Sequence, residues 1–332
     1  MTSYQQHIAL EGKSLALGYF HQKAKKEILN DLDFQLFAGE LTCLLGPNGV
    51  GKSTLIKAIL GQIKPWKGEI LIENQAIENL GVEELAKQIS VVLTEPVFPG
   101  NMTVGQLVAL GRTPHTGWSG KLGEKDREIV EKALSDTKIT YLRDERLSEI
   151  SDGQRQKAMI ARALAQDGKL MILDEPTAHL DLVNRFEIME LLRDIAAQKG
   201  KAVLVVTHDL DIAIETADRF WLLNCGTPLI SGKPEDLIIS GAINQLLPGE
   251  KYRFSLERGK LEFEIRDLKF DISGPKELVF WVEKALKKSG ITEIKDPIFI
   301  EKDPFSLSMG EMKFASIDDL IFHLNLQIDP SK

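Results

Sequence analysis

The chain has 332 residues, 43% hydrophobic and 27% charged, an ordinary globular composition with length for two domains, or one large domain and an appendage. Its 41 basic and 49 acidic residues leave a net charge of −8, which argues against nucleic acid as the main partner, since such binders carry a basic excess or stripe. No run of hydrophobic residues exceeds five, as in Ala202–Val206 and Leu278–Val282, whereas a membrane helix needs about 18 or more.

The first seven residues carry neither a basic start nor an apolar stretch. The expectation is a cytoplasmic chain without a secretory leader. Residues 8–45 read as strands and turns, among them Ile8–Tyr19 and Asp33–Phe37, forming an antiparallel layer beside a parallel sheet. Leu41–Leu45, Leu170–Leu173 and Val203–Val206 are short, continuously apolar runs, the texture of strands covered on both faces. Two of them end in Asp174-Glu175 and Thr207-His208. Ligands of open α/β sheets bind at the carboxyl ends of strands, so these residues should converge on one crevice.

Residues from about 97 to 165 read as helical, with Leu107, Val108 and Leu110 on one helix and Ile129, Val130, Ala133 and Leu134 on another. Thr103 followed by Gln106 is a capping-box pattern. Near residue 250 the chain changes character. Leu261, Phe263 and Ile265 alternate with charged residues, a half-buried strand signal. Pro275–Ser289 reads as a helix with Leu278, Val279, Val282 and Leu286 on one face, closed by Gly290. Ile298–Ile300 reads as a strand and Ser316–Leu324 as a helix, with Ile317, Leu320, Ile321 and Leu324 on one face. This is a small strand–helix–strand–helix module, the material of half or more of a ferredoxin-like sandwich. Cys43 and Cys225 read as small buried or half-buried thiols, and the six histidines show no metal-ligand spacing.

Gly46-Pro47-Asn48-Gly49-Val50-Gly51-Lys52-Ser53 fits G-x-x-x-x-G-K-[ST], with Thr54 next. It follows the apolar run 41–45 and opens a periodic stretch of Leu55, Ile56, Ile59 and Leu60. That strand–loop–helix setting is what a phosphate-binding loop requires. Glycines let the backbone wrap phosphate oxygens, and the helix N-terminus turns positive dipole toward the anion. Lys52 would reach the β- and γ-phosphates and the Ser53 hydroxyl would ligate Mg²⁺. A plain glycine-rich turn is the simpler alternative. Asp174 would hold the same metal, directly or through water, and Glu175 would act as general base toward the attacking water. An acidic turn before Pro176 is the alternative there.

With Ile150-Ser151-Asp152-Gly153-Gln154 following the phosphate loop, residues 8–248 resemble the nucleotide-binding subunit of ABC transporters. The usual signature is L-S-G-G-Q, and here Asp152 stands at the first glycine. Read on its own, Ser151 with Gln154 caps a helix running through Ala158, Ile160, Ala161 and Leu164. The resemblance implies an α/β fold with a mixed-sheet core, an antiparallel β layer and a helical subdomain over about 97–165, spanning residues 1–250. A small α+β extension, 251–332, lies outside it. It implies ATP and Mg²⁺ as cofactors. It also implies a head-to-tail homodimer in which Ser151, Gly153 and Gln154 of each subunit close over the ATP held by the other. Thr177-Ala178-His179-Leu180-Asp181 resembles the interface loop, with Asp181 as its acid, and His208 matches the switch histidine at the γ-phosphate. Tyr19 matches the aromatic that stacks on adenine, with Phe20 as fallback. Where the family has glutamine after the strand Ser90–Leu93, this chain has Glu95, which takes over the Mg²⁺ contact; its added charge could slow hydrolysis.

Asn101–His115, with Met-Thr-Val-Gly-Gln-Leu-Val-Ala-Leu-Gly-Arg-Thr-Pro-His inside it, resembles the corresponding segment of importers of iron–siderophore, haem and cobalamin complexes. In that branch a groove nearby receives a short helix of an integral-membrane permease, and an extracytoplasmic binding protein delivers the cargo. The resemblance thus places the chain at the cytoplasmic face of the inner membrane. A soluble ABC-type ATPase acting without a permease is the competing reading. Residues 251–332 show no metal cluster, nucleotide motif or catalytic constellation, and a regulatory or dimer-supporting role stands beside simple capping of the core.

Overall fold

The computed structural model describes the chain except residues 1–6, 22–23, 94–100, 118–119, 248, 250–251, 257–258, 264–270, 292, 295 and 329–332. In chain order the first elements are β1 (Ile8–His21), β2 (Ala24–Phe37), β3 (Leu41–Leu45), α1 (Lys52–Ile59), β4 (Lys67–Ile72), β5 (Gln75–Ala76), α2 (Val82–Gln88) and β6 (Ile89–Val92). The helical stretch gives α3 (Val104–Ala109), α4 (Glu124–Asp136) and α5 (Asp152–Ala165). Then come β7 (Leu170–Asp174), α6 (Leu182–Lys199), β8 (Ala202–Val206), α7 (Leu210–Thr216), β9 (Arg219–Leu222), β10 (Ile230–Gly232) and α8 (Pro234–Ile239). The last are β11 (Tyr252–Ser255), β12 (Lys260–Phe263), β13 (Ile272–Ser273), α9 (Lys276–Lys288), β14 (Ile298–Lys302), β15 (Phe305–Met309), β16 (Met312–Phe314) and α10 (Ile317–Ile328).

The chain divides into two compact units, Met1–Gly249 with Phe254–Leu261, and Glu250–Arg253 with Glu262–Lys332. In the first, a six-stranded sheet has the order β10-β9-β3-β8-β7-β6, and a four-stranded sheet has the order β2-β1-β4-β5. Strands β9, β3, β8, β7 and β6 run parallel, and β10 is antiparallel. The smaller sheet is antiparallel throughout. The apolar strands are buried on both faces, and alternation divides their side chains between two cores. Leu41, Cys43, Leu45, Met171, Leu173, Val203 and Val205 pack with α3, α4, α5 and α6 residues such as Leu107, Leu134, Ile160 and Leu192. Leu44, Leu170, Ile172, Leu204 and Val206 pack with Leu17, Leu36, Ile56 and Ile70 instead. The antiparallel layer and α1 therefore cover one face, and the helical stretch the other.

Three details differ from the sequence reading. Leu110 does not join Leu107 and Val108 in the core but is 48% exposed. It caps the C-terminus of α3 and begins a 3₁₀ segment, Leu110–His115, so it lies at the end of the α-helical face. Cys225 is exposed, in the turn that precedes Gly226 (φ 71°), while Cys43 is buried as expected. Leu261 is 45% exposed although it lies in a strand; Ile265 lies outside the described residues.

The second unit has its own core, built from Val282, Leu286, Ile298, Ile300, Leu307, Met309, Phe314, Leu320 and Leu324 among others. Its sheet has the order β13-β14-β15-β16, with β13 and β14 parallel and the rest antiparallel. This corrects the ferredoxin-like expectation. A split βαβ places another strand between the two parallel ones, whereas here β13 and β14 are directly hydrogen-bonded and the strands follow in chain order.

Candidate functional site

The register of the large sheet brings the motif ends together. Leu44 pairs with Val206, and Val206 pairs with Asp174. Thr207 N donates to Leu44 O (3.2 Å) and Glu175 N to Val206 O (2.9 Å). The loop after β3, His208 after β8 and Glu175 after β7 therefore share one carboxyl edge, as the sequence predicts.

The loop Gly46–Ser53 passes into α1 through Gly51, at φ 112° and with no side chain capping the helix. A Cβ there would lie 2.9 Å from Leu29, in a backbone region that side chains rarely adopt. The first-turn amides are left for an anion. Val50 and Thr54 are buried, whereas Pro47, Asn48, Gly49 and Ser53 are exposed. Lys52 Nζ donates to Gly46 O (2.6 Å) and Pro47 O (3.1 Å), so the amine is folded over its own loop. Burial lowers the Lys52 pKa, and the carboxylates of Glu175 and Asp174 oppose that shift. These three charges thus act on one another.

Tyr19 is 38% exposed, and its hydroxyl lies 3.3 Å from Thr54 Oγ1, which places the aromatic ring at the start of α1. Phe20 packs against Trp66 instead, at 5.4 Å between centroids.

Glu175 has φ 48°, a left-handed conformation uncommon for a side-chain-bearing residue. Its Oε2 is buried without a hydrogen-bond partner, although His208 Nδ1 stands 2.9 Å away. The ring nitrogen is close but off the hydrogen-bonding direction. A carboxylate at this strand edge, beside a largely exposed histidine, suits a general base toward a bound water. Ser53 and Asp174 are hard oxygen donors suited to Mg²⁺, which keeps waters and substrate phosphates as its remaining ligands. Glu95 lies outside the described residues.

The capping box at α5 forms as expected. Gln154 N donates to Ser151 Oγ (3.3 Å) and Ser151 N to Gln154 Oε1 (2.9 Å). Asp181 caps α6, accepting from Asn184 N (2.9 Å) and Asn184 Nδ2 (2.6 Å). Those donors, the backbone amide foremost, hold its carboxyl below the usual range. The Asn184 side chain also covers Gly153, where a Cβ would lie 2.7 Å from Asn184 Oδ1. Asn184 thus ties the interface loop to the signature turn. Sequence reasoning missed it; the D-x-x-N spacing after residue 180 is a capping signal, but the contact with Gly153 crosses to another helix. Among the described residues, no hydrogen bond or ion pair joins Ser151, Gly153 or Gln154 to the Gly46–Thr54 loop of the same chain.

The family described as ABC transporter matches residues 29–178, which include the phosphate loop, the signature, Asp174 and Glu175. The petrobactin import ATP-binding protein of Bacillus anthracis is 36% identical over 69% of this chain and 83% of its own length. The ferric enterobactin transport ATP-binding protein of Escherichia coli is 34% identical over 71% of this chain and 86% of its own. The chain belongs to the ABC transporter ATP-binding subunits.

A dimeric structure of a bacterial ABC transporter cassette superposes with a TM-score of 0.58 at 28% identity, covering 68% of this chain and 98% of that one. For an ABC ATP-binding subunit the phosphate at the loop is that of ATP. His208 and Tyr19 lie outside the matched span and rest on the geometry above.

Proposed function

We propose that this chain is the ATP-hydrolysing subunit of an importer, working as a head-to-tail homodimer beneath a membrane permease. The observation that carries this is the shared strand edge on which Lys52 feels Asp174 and Glu175, and Glu175 meets His208. ATP phosphates are cradled by the amides of Gly46 to Thr54 while Tyr19 stacks on the base. Lys52 leaves its carbonyl partners for the phosphates. Ser53 and Asp174, with Glu95, would hold Mg²⁺, which would neutralise phosphate charge when bound. Glu175 takes the proton of the attacking water, and His208 donates to the γ-phosphate. Ser151, Gly153 and Gln154 of the partner close the site, with Asp181 at the interface.

No helix among the described residues is long and apolar enough to cross a membrane, and we assign the transport path to separate permease chains. A surface cavity of about 360 Å³ is lined by Leu60, Leu85, Ile89, Val91, Leu93 and Arg162 among others. Its apolar walls suit a short permease helix, through which closure of the dimer would be transmitted. The names of the relatives and the segment 101–115 favour an iron chelate as cargo, delivered by an external binding protein. Tagging the chain in its native cell and extracting membranes in mild detergent tests this reading. A multi-spanning partner in stoichiometric amount is expected. Recovery from the soluble fraction alone, under conditions that preserve a control transporter, would overturn it.

A further inference from the structure

Asp152 is the first residue of α5, where the usual signature of the family has glycine. An acid in the first turn suits the helix dipole, but here it stands beside the helix end that we assign to the partner's ATP. Its side chain is 67% exposed, so burial does not withdraw the charge. Arg155 pairs with Asp152 Oδ1 from the next turn. The guanidinium is anchored independently of that pair: Nη2 donates to Ile150 O (3.1 Å) and Nε to Leu147 O (3.3 Å). Both carbonyls lie on the segment entering the signature. The positive charge is therefore fixed beside Asp152 by the backbone.

We propose that Arg155 is a positioning residue that neutralises Asp152 and draws its carboxylate aside, so that the α5 N-terminus can accept the terminal phosphate of the partner's ATP. Removal of the guanidinium leaves an exposed carboxylate facing a polyphosphate, and like charges at that distance oppose closure of the dimer. The proposal rests on the reading of residues 151–154 as a partner-facing phosphate site.

A double-mutant cycle separates this from a purely structural clamp on the Leu147 and Ile150 carbonyls. The full chain carrying Glu175→Gln is titrated with Mg²⁺–ATP, and dimer formation is followed by light scattering in four variants: the parent, Asp152→Gly, Arg155→Ala and the pair. Arg155→Ala is expected to raise the ATP concentration for half-dimerisation about tenfold or more, and the pair to return within about threefold of Asp152→Gly alone. Arg155→Lys should keep most of the function, and the Arg155→Ala defect should shrink as salt rises. Arg155→Met repeats the cycle if Arg155→Ala melts below the assay temperature. An equal loss with and without Asp152, or no loss, would overturn the proposal. Ser151→Arg serves as control. Unaltered ATP-driven dimerisation in that variant removes the underlying signature reading, whereas its abolition beside an additive cycle removes only the role of Arg155.

Discussion

Glu175 holds a left-handed backbone conformation (φ 48°), which costs a non-glycine residue about 1–3 kcal/mol. The amide bond to Val206 O and the bond that its own carbonyl accepts from Ala178 N keep it there. Nothing in the letters Leu173-Asp174-Glu175 announces that strain, although their place at the end of an apolar strand made the chemistry legible. The phosphate loop was legible for a different reason. Eight consecutive residues carry its whole geometry, and the sheet merely presents it. Arg155 and Asn184 were not legible, because each acts through partners that only the folded chain brings near. Lys52 was legible, and its importance can be tested alone. Lys52→Ala removes the one lysine of the loop, and nucleotide affinity measured by calorimetry should fall about tenfold or more. Unchanged affinity would count against the phosphate-loop assignment.

At the scale of elements, capping chemistry was the most readable signal. The boxes at Thr103–Gln106 and Ser151–Gln154 form with both reciprocal bonds. Alternation and periodicity did less well at element ends. Leu110 lies exposed at the C-cap of α3, where the α-helix passes into a 3₁₀ segment, and Leu261 shows that alternation marks a strand without guaranteeing a layer to cover it. In the module at 272–328 the two helices and the strand at Ile298 were legible, whereas β13, β15 and β16 were not, and the strand order follows hydrogen-bond pairing that no local pattern encodes. Residues 254–261 belong to the first unit. Phe254 is 5% exposed in its larger core, and its amide donates to Asn244 Oδ1 at 2.8 Å. Phe254→Ala should cost about 3–5 kcal/mol and lower the thermal midpoint of the first unit by about 6 °C or more. Calorimetry checks this, and a shift below about 2 °C would mean that Phe254 contributes little to that core.

At the scale of the whole molecule, one chain carries two helix N-termini fit for phosphate, and the proposed head-to-tail dimer assigns them to different nucleotides. The Gly46–Thr54 loop has Lys52, Asp174, Glu175 and His208 around it, while the α5 turn has Asp181 and Asn184 beside it. In the proposed dimer, a pair of such chains, each supplying the half that the other lacks, would complete two sites. Under the proposed importer reading, cargo choice would rest with the permease and binding protein, since no cargo-selective surface is required of the ATP-binding subunit. The central claim is that ATP joins two copies and that Glu175 triggers their release. The most direct measurement compares wild type with Glu175→Gln, by steady-state phosphate release and by sedimentation with Mg²⁺–ATP. The variant is expected to bind ATP, hydrolyse it about a hundredfold more slowly or worse, and accumulate as a dimer that the wild type populates only transiently. Wild-type turnover in Glu175→Gln, or a variant that stays monomeric while saturated with ATP, would contradict the account.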